Sequence, residues 1–383
     1  MTTVSTFLPR APGFDLDWSG LDDAFPWIRA MKDSPHDPVH HQEGDPWIHT
    51  KMVVEALVAD PEWRALDSED ALVCFVAAVM HDIGKPATAD VQDDGRVTNR
   101  GHSRVGAIMT RRILWEEGFT PCLREQVCAL IERHQVPFWL FEKDHAAALQ
   151  VVSGQSLLVR NRLLWLLARA DARGRICDDQ EFMLAAVDEY RDICVKHGCF
   201  DEPFAFYGDH ERFMFLSGRA TIDPSYQLGA SEERPMVTIL SAFPGSGKTT
   251  WARHNALGTP VISLDAIRRD LGIKPEDQQG PVLEVARERA REYLRAKQSF
   301  VWDATAFTRE MRGKTIDLCR QYGFGIRIVA IDIPRTVMLR QNRDRDYPVP
   351  EAIIEKMASK WEFPRPDEYH ELVWITEPTK SSR

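Results

Sequence analysis

The nine residues Ala242-Phe243-Pro244-Gly245-Ser246-Gly247-Lys248-Thr249-Thr250 constrain this chain more than any other stretch. An apolar β-type run at 237–241 precedes them, and a helical pattern follows. Gly245 and Gly247 let a strand turn sharply into a helix, so that backbone N–H groups converge on one point. A loop of this kind surrounds phosphates: its lysine reaches the β and γ groups and its hydroxyl ligates Mg²⁺. The expected nucleotide contacts are Gly245, Ser246, Gly247, Lys248, Thr249 and Thr250, with ATP or another NTP as ligand. Thr249 is the better Mg²⁺ ligand. The GxxxxGK[ST] pattern asks for glycine at its first position, and this chain has Ala242 there.

The surroundings of the loop extend this reading. β-rich runs at 237–241, 260–264, Phe300–Asp303 and 326–333 alternate with helical runs that include 283–297 and 309–322. Strands alternating with helices imply a parallel sheet. The first 200 residues differ. Helical patterns cover 70–80, 102–115, 122–134 and 157–172, and β alternation is scarce, so strands are not expected there. Between them, 201–235 reads as a connector rich in Gly and Pro, whose aromatic residues suggest that part of it packs. At 383 residues the chain is long enough for such a division. The expected architecture is multidomain: an all-α helical bundle over 1–200, the connector, and an α/β phosphate-loop domain with a parallel sheet over 236–383.

The helical half carries His49, His81-Asp82, His102, His134 and Asp171. Successive members stand roughly 20 to 40 residues apart, about a helix plus a loop, so each can project from a different helix toward one centre. Imidazoles and carboxylates together suit Mn, Fe, Co, Ni or Zn. Asp82 could bridge two ions, and such a pair acidifies water for attack on phosphorus. Singly, each histidine is more often an ordinary core or surface residue, as read for His36 and His40. His41 competes with His49 for the first position. His49 is preferred because it opens a helical run at 50–58.

This ordered set resembles the HD superfamily of metal phosphohydrolases. The segments Glu43-Gly44-Asp45-Pro46-Trp47-Ile48-His49 and Arg169-Ala170-Asp171-Ala172-Arg173-Gly174-Arg175 are similar to the HD domain of bacterial tRNA nucleotidyltransferases. The resemblance implies an α-helical fold and phosphoester hydrolysis. It also implies a two-metal site in which His102 and His134 serve the second ion. Lys85 matches the family's residue after the HD pair and would stabilise phosphate charge; a plain surface lysine is the alternative. Arg104 is a similar candidate.

In the second half, Ser263-Leu264-Asp265-Ala266-Ile267-Arg268 closes the strand after the phosphate loop. A carboxylate at the carboxyl end of a neighbouring parallel strand faces the loop, where Asp265 can accept a proton from an attacking hydroxyl. Its structural alternative is a helix N-cap. Arg268, one turn on, suits an acceptor phosphate. Asp303 is another strand-end carboxylate, suited to metal or acceptor positioning. Residues 339–350 are basic and end in Pro-Val-Pro; Arg345 or Arg343 could neutralise a phosphoryl group in transit, or belong to a solvated helix end.

Together these segments resemble the 5′-hydroxyl polynucleotide kinase family over about 236–374. The resemblance gives Asp265 the general-base role, Arg268 the contact to the acceptor's 3′-phosphate and Arg345 the lid role. Ala306 departs from it, because Asn is usual there. The two halves on one chain resemble bacterial two-domain end-healing enzymes. Expected partners are RNA or DNA ends and a polynucleotide ligase. One rival is an HD nucleotide hydrolase joined to a small-metabolite kinase; another is a non-catalytic NTP-gated regulatory module.

Composition limits the rest. The net charge of −10 argues against a protein that coats DNA, though not against one nucleic-acid end in a local basic pocket. Seven cysteines without a CxxC pair suggest a reduced compartment. No signal peptide and no membrane span are visible, so the expected location is cytoplasmic, with no membrane partner.

Overall fold

The computed structural model describes residues 3–37, 41–220, 224–226, 234–274 and 277–378. The chain divides into two compact units, Met1–Ala205 and Phe206–Arg383. Within the expected connector, 221–223 and 227–233 lie outside the described residues.

The first unit is helical. Its principal helices are α1 (Pro46–Ala59), α2 (Ser68–Met80), α3 (His102–Glu116), α4 (Pro121–Arg133), α5 (Asn161–Arg173) and α6 (Gln180–Lys196). Helix α2 is apolar on nearly every side, which only a central position satisfies. Val73 through Met80 are indeed fully buried, and α1, α4 and α5 pack around them. α1 starts earlier than expected, at Pro46, because Asp45 caps it by accepting from Trp47 N and Ile48 N. The expected helix over 157–172 starts late, at Asn161. A separate helix, His145–Ser156, ends first. The Asn161 amide fixes that start by donating to the Val152 and Cys199 carbonyls. A two-residue antiparallel ribbon, Asp90–Val91 with Val97–Thr98, also corrects the expectation of no strands here.

The second unit begins with helix α7 (Asp209–Leu216), inside the stretch read as connector. α7 stacks Phe213 on His370 at 4.1 Å. The sheet follows: β1 (Met236–Ala242), β2 (Val261–Ser263), β3 (Phe300–Asp303), β4 (Gly325–Ile331) and β5 (Glu371–Ile375). All pairings among these strands are parallel, in the order β2-β3-β1-β4-β5. The chain leaves central β1 toward β3 and β2 and returns to β4 on the other side. That reversal opens a crevice at the carboxyl end of β1. Helices α8 (Lys248–Asn255), α9 (Leu264–Asp270), α10 (Gly280–Arg295), α11 (Arg309–Gln321), α12 (Arg335–Arg343) and α13 (Glu351–Ala358) make the connections.

A buried ion pair holds the last turn of chain before β5. Arg312 on α11 is fully buried; its Nε and Nη2 donate to Glu368 at 2.7 and 3.0 Å, and Nη1 donates to the Glu362 carbonyl at 2.8 Å. Arg312→Ala strands the Glu368 carboxylate in the interior. Equilibrium denaturation is expected to show a loss of about 3–5 kcal/mol, far above the tenths expected of a surface arginine.

Candidate functional site

Five helices of the first unit bring the sequence-marked residues to one centre. His49 lies on α1, His81 caps the end of α2 with Asp82 beyond it, His102 opens α3, His134 caps the end of α4, and Asp171 lies on α5. None is more than 5 % exposed, so none is a surface residue. Glycines permit the approach. At Gly84 a Cβ would overlap the His102 carbonyl and lie 2.7 Å from Gly106 N. At Gly174 it would lie 2.6 Å from Val53 N, which lets α5 set Asp171 beside α1. Gly84→Ala must therefore displace α3 and His102. The expected result is about 1–3 kcal/mol lower stability together with weaker metal retention, read by denaturation and by metal content after gel filtration.

The ring orientations follow one rule. Each of these four histidines engages a backbone carbonyl through Nδ1: His49 with Gly174 (3.1 Å), His81 with Ala78 (2.8 Å), His102 with Asn99 (2.8 Å) and His134 with Ile131 (2.7 Å). Each Nδ1 therefore carries the proton, and each Nε2 presents a lone pair inward. His102 Nε2 and His134 Nε2 then face one another 3.3 Å apart, and His49 Nε2 faces Asp171 Oδ1 at 3.0 Å. Neither pair holds a proton to share, so each calls for a cation. Asp82 stands between two sets. Its Oδ2 faces His81 Nε2 (3.2 Å) and His49 Nε2 (3.8 Å), and its Oδ1 faces His102 Nε2 (3.4 Å). His49, His81 and Asp82 form one possible metal cluster, and Asp82, His102 and His134 form another. Both Asp82 oxygens and His81 Nε2 are buried without a well-aligned hydrogen bond among the described residues. The Lys85 ammonium beside Asp82 Oδ2 compensates one of these atoms, while Asp82 Oδ1 and His81 Nε2 are costly to bury unless a cation satisfies them. The residues present fit two divalent ions with Asp82 shared.

Electrostatics couple these groups. Burial alone would raise the Asp82 carboxyl, but protonated His81 and Lys85 hold it well below the usual range, and Asp82 in turn raises the His81 imidazole against the effect of burial. For Asp171, burial is likewise outweighed by Arg175 and His49. Burial, then the charges of His102 and His81, push His134 down to about 3, keeping it a neutral ligand.

Around this centre stand Arg175 and Glu43, for which no role was expected, with His36, His41 and Lys85. Arg175 grips Asp171 with two contacts of 2.9 Å. Glu43 Oε1 lies 2.9 Å from both His41 Nδ1 and His49 Nδ1. His36 and His41 stack face to face, and Lys85 reaches both. Lys85 is 5 % exposed and its Nζ is 2.8 Å from Asp82 Oδ2, so it is not a plain surface lysine. The signal available was His41-x-Glu43 immediately before the α1 cap. His40 lies outside the described residues.

In the second unit the phosphate loop joins β1 to α8. Gly245 and Gly247 have φ of 79° and 100°. At Gly245 a Cβ would come within 2.8 Å of Asn342 and of the Met338 carbonyl on α12. Lys248 Nζ donates to the Ala242 and Phe243 carbonyls, both at 3.1 Å, and Ser246 Oγ donates to Phe243 O at 2.7 Å. Thr249 is exposed and Thr250 half-buried. Burial lowers the Lys248 pKa, opposed by the charges of Asp303 and Asp265, while the charge of Arg345 adds to the lowering. Those residues of the sequence reading therefore share one field.

Asp303 ends β3 and pairs in register with Ser263 of β2. Burial raises its carboxyl despite Lys248. Ser263 caps α9, accepting from Ala266 N, so Asp265 is not the cap. Asp265 instead points outward and pairs with Arg268, whose Nε donates to Gln279 Oε1 at 2.8 Å. Arg343 ends α12 and Arg345 lies just past it, and both are exposed. The Asn342 amide closes that loop, donating to the Val349 carbonyl and accepting from Val349 N. Ala306 is buried, and its carbonyl accepts from Ser241 Oγ at 2.7 Å.

Comparison with known proteins matches this division. An HD domain model matches residues 47–172, and an AAA domain model of the AAA_33 type matches residues 237–364. The multifunctional CCA protein of Pasteurella multocida is 27 % identical over 158 residues, which is 40 % of this chain and 36 % of that protein. The chain thus spans about a third of that relative's length. Among solved structures, a sugar kinase from a Janibacter species is similar at 22 % identity and a TM-score of 0.30. It covers 38 % of this chain and 86 % of its own. A gluconokinase from Sinorhizobium meliloti is similar at 20 % identity and a TM-score of 0.30, with the same coverage. By the two domain models, the chain carries an HD domain over 47–172 followed by a phosphate-loop domain of the AAA_33 type over 237–364. No helix of the described residues is long and apolar enough to cross a membrane.

Proposed function

From an HD domain and a phosphate-loop domain on one chain, we propose that the protein heals broken nucleic-acid ends, RNA ends in particular. The first unit hydrolyses a 2′,3′-cyclic phosphate and then the remaining 2′- or 3′-monoester. The second transfers the γ-phosphoryl group of ATP or another NTP to a 5′-hydroxyl. The products are the ends a polynucleotide ligase joins. The observation that carries this reading is the pair of exposed Asp265 with half-buried Arg268, held by Gln279 in the electrostatic field of Lys248. It offers a base and an acceptor-phosphate ligand side by side.

In the first unit, His49, His81, Asp82, His102, His134 and Asp171 would hold two ions from the Mn, Fe, Co, Ni and Zn group. Bound there, the ions would neutralise phosphate charge and acidify water. The chain's own contribution is orientation. Backbone carbonyls fix the four imidazoles, Arg175 and Glu43 hold their partners, and burial excludes bulk solvent. Lys85 stabilises phosphate charge next to Asp82.

In the second unit, Gly245, Ser246, Gly247, Lys248, Thr249 and Thr250 bind the NTP with Mg²⁺, Thr249 serving as the metal ligand. The acceptor oxygen attacks the γ-phosphorus, the bond to the β-phosphate oxygen breaks, and the nucleoside diphosphate leaves. Asp265 takes the acceptor's proton. Arg268 holds the acceptor's neighbouring phosphate, Asp303 orients the acceptor or Mg²⁺, and Arg345 neutralises the group in flight. The test is acceptor choice. A 5′-hydroxyl oligonucleotide should take label from γ-labelled ATP, and Arg268→Ala should raise KM for an acceptor with a 3′-phosphate more than for a free nucleoside. Labelling of sugars alone, with none of the oligonucleotide, would refute the assignment.

A further inference from the structure

We propose that His36 Nε2, His41 Nε2 and Asp82 Oδ2 build a third cation position, which this chain fills with the ammonium of its own Lys85. The inference rests on reading Asp82 as a metal carboxylate.

The atoms around Lys85 are the starting point. Its Nζ lies 2.6 Å from His36 Nε2, 3.4 Å from His41 Nε2 and 2.8 Å from Asp82 Oδ2. The two rings cannot be donors there. His36 Nδ1 is 3.0 Å from the Gly44 carbonyl, so its proton sits on Nδ1. His41 Nδ1 is 2.9 Å from the Glu43 carboxylate, which places its proton likewise. Both Nε2 atoms are therefore lone pairs directed at one point. This is the construction of His49, His81, His102 and His134: Nδ1 fixed by an oxygen, Nε2 aimed inward.

The rings are held in this pose. They stack 3.5 Å apart with 17° between their planes, and His41 also meets His49 edge-on at 4.7 Å. Two imidazole lone pairs and a carboxylate oxygen are an ordinary donor set for a divalent ion. Here a lysine anchored just after the His81-Asp82 turn reaches into that set. A tethered ammonium stays with the protein, carries one charge rather than two, and has three N–H groups, one for each of the three acceptors around it. Asp82 then presents its Oδ2 to an ion on one side and to a fixed cation on the other.

The proposal is tested by metal content. The full chain and the variants Lys85→Ala and Lys85→Met are saturated with Mn²⁺, or separately with Zn²⁺, freed of excess by gel filtration, and assayed by mass spectrometry of the elements. Both variants should hold one more equivalent per chain than the unsubstituted protein. Adding His36→Gln and His41→Gln to Lys85→Ala should remove that increment. Lys85→Met keeps the buried stem and serves if truncation to Ala unfolds the chain, which circular dichroism reports. An equal metal count with and without Lys85, in folded protein, overturns the third position while leaving the two-metal centre standing. Absence of bound metal from the unsubstituted protein overturns both.

Discussion

Asp82→Asn lowers hydrolysis of a 2′,3′-cyclic phosphate by at least about 10³-fold, the rate equivalent of the several kcal/mol that metal charge contributes to such a transition state. The replacement is nearly isosteric, so the helices should keep their places. What changes is charge and donor chemistry. Asp82 offers one oxygen to the His49–His81 side and the other to the His102 side. An amide offers one oxygen and one N–H₂ group, and cannot serve both. Lys85 also loses its carboxylate partner. The 5′-kinase activity should remain, since none of its residues lies in this unit. Metal content should fall with the hydrolytic rate. Loss of hydrolysis with full metal content would assign Asp82 a different role.

Lys248→Ala has the opposite pattern. In the present structure Nζ spans the Ala242 and Phe243 carbonyls across the loop. With an NTP bound, the same ammonium would turn to the β- and γ-phosphates. Its removal leaves the loop carbonyls without that donor and withdraws a positive charge from the transferring group. Kinase rate should fall by about 10²–10³-fold, the cost typical of deleting one electrostatic contact to a transition state. Cyclic-phosphate hydrolysis should be unchanged. Parallel loss of both activities in a folded Lys248→Ala protein would contradict two separate sites.

The same comparison of residues explains which features the sequence made legible. The phosphate loop was readable because its chemistry is local: a strand, glycines in the left-handed region and a lysine within a few residues. That His49, His81, Asp82, His102, His134 and Asp171 converge was readable because they come from five helices, so order and spacing survive in one dimension. Strand β5 was not, because Glu371–Ile375 is only half-buried and lacks a clean alternation. The helix expected over 157–172 starts only at Asn161, because apolar periodicity runs on through 157–160 while Asn161 anchors the start through distant carbonyls. His36, read as an ordinary histidine, and His41, read as the rival of His49, were misplaced for a related reason. Their importance comes from Lys85, more than forty positions later, and no pattern in the chain marks that meeting. Asp265 was placed between two roles, base and cap. Ser263 resolves the local question by taking the cap itself.

One experiment bears on the whole account. An RNA strand with a 5′-hydroxyl and a 2′,3′-cyclic phosphate is incubated with the full chain, ATP and Mg²⁺, and with Mn²⁺, Co²⁺, Ni²⁺ or Zn²⁺ in turn. Both ends are followed by label. End healing predicts gain of a 5′-phosphate and loss of the cyclic phosphate on the same strand, the second dependent on the transition metal. An RNA unchanged at both ends, with NTP and metal shown to bind, would contradict it.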